Sequence, residues 1–153
     1  MSRTKAREMA IQLGFVASAA GEDPRVLIDR FFERDHFETL AAEDPLYSEY
    51  PSAKQLEYIR CLVCGVQEHR EDIDAHIRRY ARGWKPERIS RTALSVLRCA
   101  LFEILYMEDI PNAAAINEAV ELAKAYDEPD TVSFINGVLG GFMRGELEHN
   151  PEE

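Results

Sequence analysis

Ile110-Pro111-Asn112-Ala113-Ala114-Ala115-Ile116-Asn117-Glu118-Ala119-Val120-Glu121-Leu122-Ala123-Lys124, followed shortly by Ser133-Phe134-Ile135-Asn136-Gly137-Val138-Leu139, is the stretch whose reading decides the fold. Asp109-Ile110-Pro111 ends a preceding helix, because a residue before proline is pushed out of the α region, and Asn112 can cap the next one. Apolar residues then recur at helical spacing, with Ile116, Ala119, Val120, Leu122, Ala123 and Tyr126 as the expected buried side. Pro129 and Asp130 open a further helix whose core stripe is Val132, Ile135, Val138, Leu139 and Phe142.

The same period governs the rest of the chain, and no stretch alternates like a strand. Pro86 starts a helix with one stripe at Ile89, Ala93, Val96, Leu97, Ala100 and Ile104 and another at Leu94, Leu101 and Leu105, so this helix is expected to be central. Upstream, Gly83 breaks an amphipathic segment from Glu71 to Ala81 that presents Ile73, Ile77 and Tyr80, and Ser52 can cap a helix carrying Leu56, Ile59, Cys61, Leu62, Val63 and Val66. The acidic segment from Asp35 to Pro51 reads as a variable connection with room for a short helix. A helix from Pro24 to about Arg34 precedes it. The first helix buries Ala6, Met9, Ala10, Leu13, Val16, Ala17 and Ala20 and closes at Gly21. The fold class is therefore all-α, with about seven helices.

At 153 residues and 46% hydrophobic content, the chain supports one compact domain. A net charge of -10 excludes binding to nucleic acid by bulk charge, since phosphate binding runs on Lys and Arg displacing counterions. Any nucleic-acid contact must be local. Two basic spots exist: Arg3, Lys5 and Arg7 at the N-terminus, and Arg78, Arg79, Arg82, Lys85, Arg88 and Arg91 around Gly83. No run approaches the ~20 apolar residues of a membrane span, and the N-terminus lacks a signal-peptide pattern, so a cytoplasmic protein is expected. Cys61, Cys64 and Cys99 fit reduced core thiols. The Cys61-Leu62-Val63-Cys64 spacing could suggest a metal, but there is no second pair, so neither a metal nor a cofactor is expected.

The opening stretch resembles the most recognisable part of the NusB transcription antitermination family. Further likeness lies at Ser2 to Glu8, Gln12, Phe15, Tyr80 to Arg88 with Trp84, and Val96-Leu97-Arg98-Cys99-Ala100 with Glu103. The resemblance implies two small helical bundles in one NusB-like domain over 1–148, about 1–82 and 84–145, with an acidic mobile tail over 146–153. It implies no enzymatic activity, and binding of boxA-type single-stranded RNA together with the ribosomal protein NusE. The complex would help RNA polymerase read through terminators, especially in ribosomal RNA operons. Either a homodimer or a monomer that pairs with NusE is compatible with it. The N-terminus carries less arginine than is common in the family, Leu94 stands where a charged residue is common, and Gly140 replaces a frequent acid.

Phe15 projects away from the apolar stripe of the first helix. Phe134 shares a separate face with Asp130, Gly137 and Gly141. Exposed aromatics beside cations suit single-stranded RNA, in which bases stack on rings and cations hold phosphate. The resemblance places Arg3, Lys5, Arg7, Phe15 and Phe134 on or near the RNA surface; the alternative is that both rings simply contact neighbouring helices. Asp130, Arg78, Arg79 and Arg82 are further candidates for an RNA or partner surface, the arginines equally for a solvated face. Glu103 falls within the apolar stripe of the central helix. With no second catalytic group in view, it reads as a structural carboxylate bonded near Arg98 or the Asn112 helix start. Asn117 fits either an interhelical hydrogen bond or a partner contact, and the structural role is preferred.

Two other functions compete. A ribosomal RNA cytosine methyltransferase carries a similar helical module, but the fourteen residues after Leu139 leave no room for a methyl-donor fold. A protein-binding scaffold with weak or no RNA affinity is made credible by the -10 charge.

Overall fold

The computed structural model describes residues 2–83 and 88–147. Among them are eight α-helices and two short helical turns, with no strand. The chain divides into two units, Met1–Glu68 and His69–Glu153.

In the first unit, α1 (Arg3–Ala20) starts where the Ser2 hydroxyl accepts the Lys5 amide at 3.1 Å and stops at Gly21, whose φ of 67° is left-handed. It packs on α2 (Pro24–Phe31) and α4 (Ala53–Glu68). Ser52 and Gln55 cap α4 reciprocally: the Gln55 amide donates to the Ser52 hydroxyl at 3.2 Å and the Ser52 amide to the Gln55 carbonyl at 3.0 Å. The buried arc of α1 differs from the expected stripe. Val16 is 42% exposed and Ala20 is exposed, while Ile11 and Arg7 are buried.

The helix expected over 24–34 ends at Phe31, because Glu33 caps a new one, α3 (Arg34–Leu40), accepting the Asp35 and His36 amides at 3.2 and 3.1 Å. The supposed variable connection is in fact packed. Phe37 stacks on Phe32 at 5.8 Å between centroids and meets Tyr50 edge-on at 5.0 Å, and the Arg34 guanidinium sits 3.9 Å over the Tyr50 ring. A 3-10 turn, Pro45–Tyr47, brings the Tyr47 hydroxyl to the Gln12 side-chain oxygen of α1. Spacing rules see none of this, because the cluster is built from short segments without a helical period.

The second unit contains α5 (Arg70–Tyr80), α6 (Arg91–Tyr106), α7 (Asn112–Tyr126), α8 (Pro129–Phe142) and a π-helical turn, Met143–Leu147. As its two stripes require, α6 is central. It packs on α5, α7 and α8, and every residue from Ser95 to Glu103 is buried. The boundary expected near 82–84 falls instead between Glu68 and His69, because α5 packs on α6 and α8. Ser90 caps α6, accepting the Ala93 amide at 3.0 Å; the helix start expected at Pro86, like Trp84, Lys85 and residues 148–153 of the tail, lies outside the described residues. Glu146, expected in a mobile tail, is half-buried and paired with Arg79. In α7 the cap position is Pro111 and Asn112 is already helical, without a side-chain cap bond. Ala115 joins the core, Ile116 and Val120 are half-buried, and Tyr126 is 43% exposed. Of the α8 stripe, Ile135, Val138, Leu139 and Phe142 are buried as expected.

Arg98 ties α6 to α5. Its Nε and Nη2 donate to the two oxygens of Asp74 at 2.8 and 3.0 Å, with the Arg98 side chain only 10% exposed. Arg98→Ala should cost about 2 kcal/mol in urea unfolding, because a half-buried carboxylate loses two charged hydrogen bonds and keeps only its 3.7 Å contact with Arg70, whereas a combined Arg98→Met and Asp74→Leu variant should recover most of that loss.

Asp127, which follows α7, is held above the usual carboxylate range, chiefly by burial, against which a hydrogen bond from Ser90 acts. A carboxyl whose folded pKa is raised is disfavoured when charged, so its penalty is full at neutral pH and fades as pH falls through the raised value. Asp127→Asn should therefore raise the urea midpoint at pH 7. The advantage should shrink on acidification.

Candidate nucleic-acid interface

In the first unit the candidate patch lies on α1. Arg3 is exposed, with its guanidinium 4.6 Å over the ring of Tyr58 on α4, a cation–π contact that orients it while leaving its edge to solvent. Lys5 is exposed. Arg7 departs from expectation: it is only 5% exposed and cannot present its guanidinium to a phosphate as it stands. Its burial follows from the wide buried arc of α1, in which Arg7 lies one turn before the buried Ile11. Phe15, one turn further along the same row, is half-buried with part of its ring accessible.

In the second unit a hollow of about 430 Å³ opens between the end of α5 and α8, lined by Tyr80, Arg82, Asp130, Ser133, Phe134, Gly137 and Val138. Phe134, expected to turn away from the core, is only 7% exposed. The reason is its position one turn before Val138, at the margin of the core stripe. It still lines the hollow, to which Gly137 beside it adds no side chain. The rim holds exposed Arg82 and Asp130 and the Ser133 hydroxyl. Such a set can seat a planar base: ring surface below, a carboxylate that accepts from base N–H groups, and a cation for the phosphate.

Sequence reasoning does not single out Tyr80 or Ser133 for this site. Spacing alone makes Tyr80 a core position of α5, but it is half-buried and lines the hollow. The available signal is Gly141, on one face with Phe134, where a Cβ would press on the Tyr80 ring at 3.3 Å. The Tyr80 phenol is pushed above its ordinary value, first by burial and then by its hydrogen bond to Glu146.

The described arginines of the basic stretch differ in their surroundings. Arg79 pairs with Glu146 at 3.1 Å, Arg82 lines the hollow, and exposed Arg78 borders a second cavity of about 360 Å³, walled by Ile77, Ala81, Ile89 and Leu94 with the Asp74–Arg98 pair. Glu103 is 1% exposed in the heart of α6, as its place in the stripe requires. Asn117, favoured for an interhelical bond, is exposed; its neighbour Glu118 is the half-buried member of the polar pair. Cys61, expected in the core, is exposed, Cys64 is half-buried with its thiol pKa raised chiefly by burial, and Cys99 is buried. Among the described residues no three His, Cys, Asp or Glu side chains are grouped to hold a metal ion, and no helix is long and apolar enough to cross a membrane.

Comparison with known proteins adds a family to this geometry. A transcription antitermination protein NusB from Symbiobacterium thermophilum is 42% identical over 145 residues, covering 95% of this chain and 91% of the relative, and one from Clostridium botulinum is 36% identical over 140 residues, covering 92% and 98%. Among solved structures, T. maritima NusB superposes with a TM-score of 0.76 at 27% identity over 99% of this chain and 95% of its own. A crystal structure of the antitermination factors NusB and NusE in complex with dsRNA contains a chain of the same fold, with a TM-score of 0.72 at 22% identity, covering 93% of this chain and 96% of that one. The sequence pattern that describes the NusB family matches residues 4–144, and this protein belongs to the NusB family.

Proposed function

We propose that this protein is a transcription antitermination factor that binds boxA-type single-stranded RNA together with NusE and promotes read-through by RNA polymerase, especially in ribosomal RNA operons. It acts in the cytoplasm as an adaptor, without catalysis. The observation that carries the reading is the hollow beside Phe134, where ring surface, a cation and a carboxylate meet in a chain whose net charge is -10. The exposed cations Arg3 and Lys5 and the partly accessible Phe15 supply RNA contacts on α1. Family membership supports the antitermination role, and the solved complex of NusB and NusE with dsRNA supports NusE and RNA as partners. Arg7, being buried, is assigned to the fold of α1 rather than to phosphate.

An acidic adaptor of this kind should bind RNA weakly alone and more tightly with NusE, since the partner adds cations and contact area. The same charge favours one other reading, a protein-binding scaffold without RNA affinity. Binding of boxA RNA in the presence and absence of NusE separates them: a complex with NusE that RNA does not strengthen identifies the scaffold.

Within the RNA reading, Phe15→Ala together with Phe134→Leu, checked for folding by thermal melt, should weaken boxA binding by at least about tenfold, because each stacked base contributes ~1–3 kcal/mol. Leucine is chosen at 134 to keep the buried site filled. Unchanged affinity in the folded variant removes both rings from the interface. Replacing Arg78, Arg79 and Arg82 with Gln should move the slope of log affinity against log salt toward zero, by roughly 0.7 for each phosphate that these arginines neutralise. An unaltered slope makes them a solvated face.

A further inference from the structure

The C-terminal turn Met143–Leu147 is more than a continuation of α8. Two glycines, Gly141 near the end of α8 and Gly145 in the turn, leave room for Tyr80 on α5: a Cβ at Gly141 would lie 3.3 Å from Tyr80 Cδ1, and one at Gly145 would stand 2.8 Å from Cε1 and 2.9 Å from Cζ and overlap the hydroxyl. Glu146 closes on the same helix, accepting from Arg79 at 3.1 Å and facing His76 Nδ1 at 3.5 Å. Phe142 backs the contact, meeting the Tyr80 ring edge-on at 6.0 Å and the His76 ring at 5.1 Å. The Arg79 guanidinium lies 5.8 Å from the Tyr80 ring centroid. Tyr80 is thus enclosed by the turn on one side while it lines the hollow on the other.

We infer that Gly145 and Glu146 are positioning residues that fix the Tyr80 ring as a stacking surface for an RNA base in the hollow, an inference that rests on the RNA-binding reading above. A ring seated in advance loses little side-chain freedom when a base stacks on it, whereas a ring free to change rotamer has to be ordered at the moment of binding. The obstacle to a side chain at 145 is the end of the tyrosine and not backbone. Gly145→Ala should therefore displace the ring without unfolding the unit. Glu146 holds Arg79, whose side chain is 67% exposed, so loss of that pair should alter stability little.

The test is a double-mutant cycle read out as affinity for single-stranded boxA RNA in the presence of NusE. Tyr80→Ala should weaken binding by about tenfold. Gly145→Ala and Glu146→Gln should each weaken it by about threefold or more, with melts close to the parent protein. In a Tyr80→Ala background, Gly145→Ala should have no further effect, because a positioning residue acts only through the ring it positions. A structural role alone would give the same loss in both backgrounds, and that result overturns the inference. So does full affinity in Tyr80→Ala while the parent binds RNA, an outcome that leaves the RNA-binding function standing. A parent protein that shows no affinity for RNA, with or without NusE, overturns both.

Discussion

The paired hydrogen bonds between Arg98 and Asp74 are the constraint on which the second unit depends. Arg98 lies where water is scarce and Asp74, which also meets Arg70, is half-buried, and the bidentate pair forms only with α5 and α6 in one relative register. Hydrophobic contacts between two helices tolerate small slides; a bidentate guanidinium–carboxylate contact does not. Asp74 lies near the middle of α5 and Tyr80 at its end, with Arg82 just beyond. Fixing α5 against α6 thereby fixes where these two residues meet α8. The hollow inherits its geometry from an ion pair that does not line it.

Glycine placement completes that geometry. α8 presents Gly137 to the hollow and Gly141 to Tyr80, and the following turn presents Gly145 to the same ring. At Gly141 and Gly145 the absent side chain makes space for the Tyr80 ring, whereas Gly137 faces open space. Glycines in a helix interior cost about 1 kcal/mol each relative to alanine, so the two around this ring require a compensating contact. The ring supplies it: Tyr80 packs against Phe142 and the turn.

The parts of the fold legible in the sequence are those built from long periodic segments. The double stripe of α6 marks it as central, the stripes of α1 and α8 identify most of their core residues, and Ser52 marks the start of α4. What escapes is set by partners that periodicity does not see. Arg7 and Val16 exchange places because the buried arc of α1 is rotated relative to its apolar stripe. The stretch after α2 looks loose in sequence because its order comes from aromatic contacts among residues without helical spacing. Phe134 stands out in the sequence, but for the wrong reason. It is a buried core-margin residue that borders the hollow, not a ring on an outward face. Tyr80 does not stand out, because half of it does belong to the core.

That combination is what the proposed RNA recognition asks of a chain of net charge -10. Bulk attraction is unavailable, and the Debye length in physiological salt, about 8 Å, confines each arginine's influence to its surroundings. Binding must then rest on contacts that do not scale with net charge: stacking on rings already in place, hydrogen bonds to base edges, and a few cations near phosphate. Asp130 at the rim fits this scheme, because a carboxylate repels phosphate but accepts from base N–H groups. It favours an arrangement in which the base enters the hollow and the backbone stays near Arg82. An acidic surface also penalises nucleic acid that cannot use the hollow, so the charge that weakens RNA binding overall sharpens its selectivity. In the proposed reading, a partner carrying its own cations restores the affinity lost to that repulsion, which is the role assigned there to NusE.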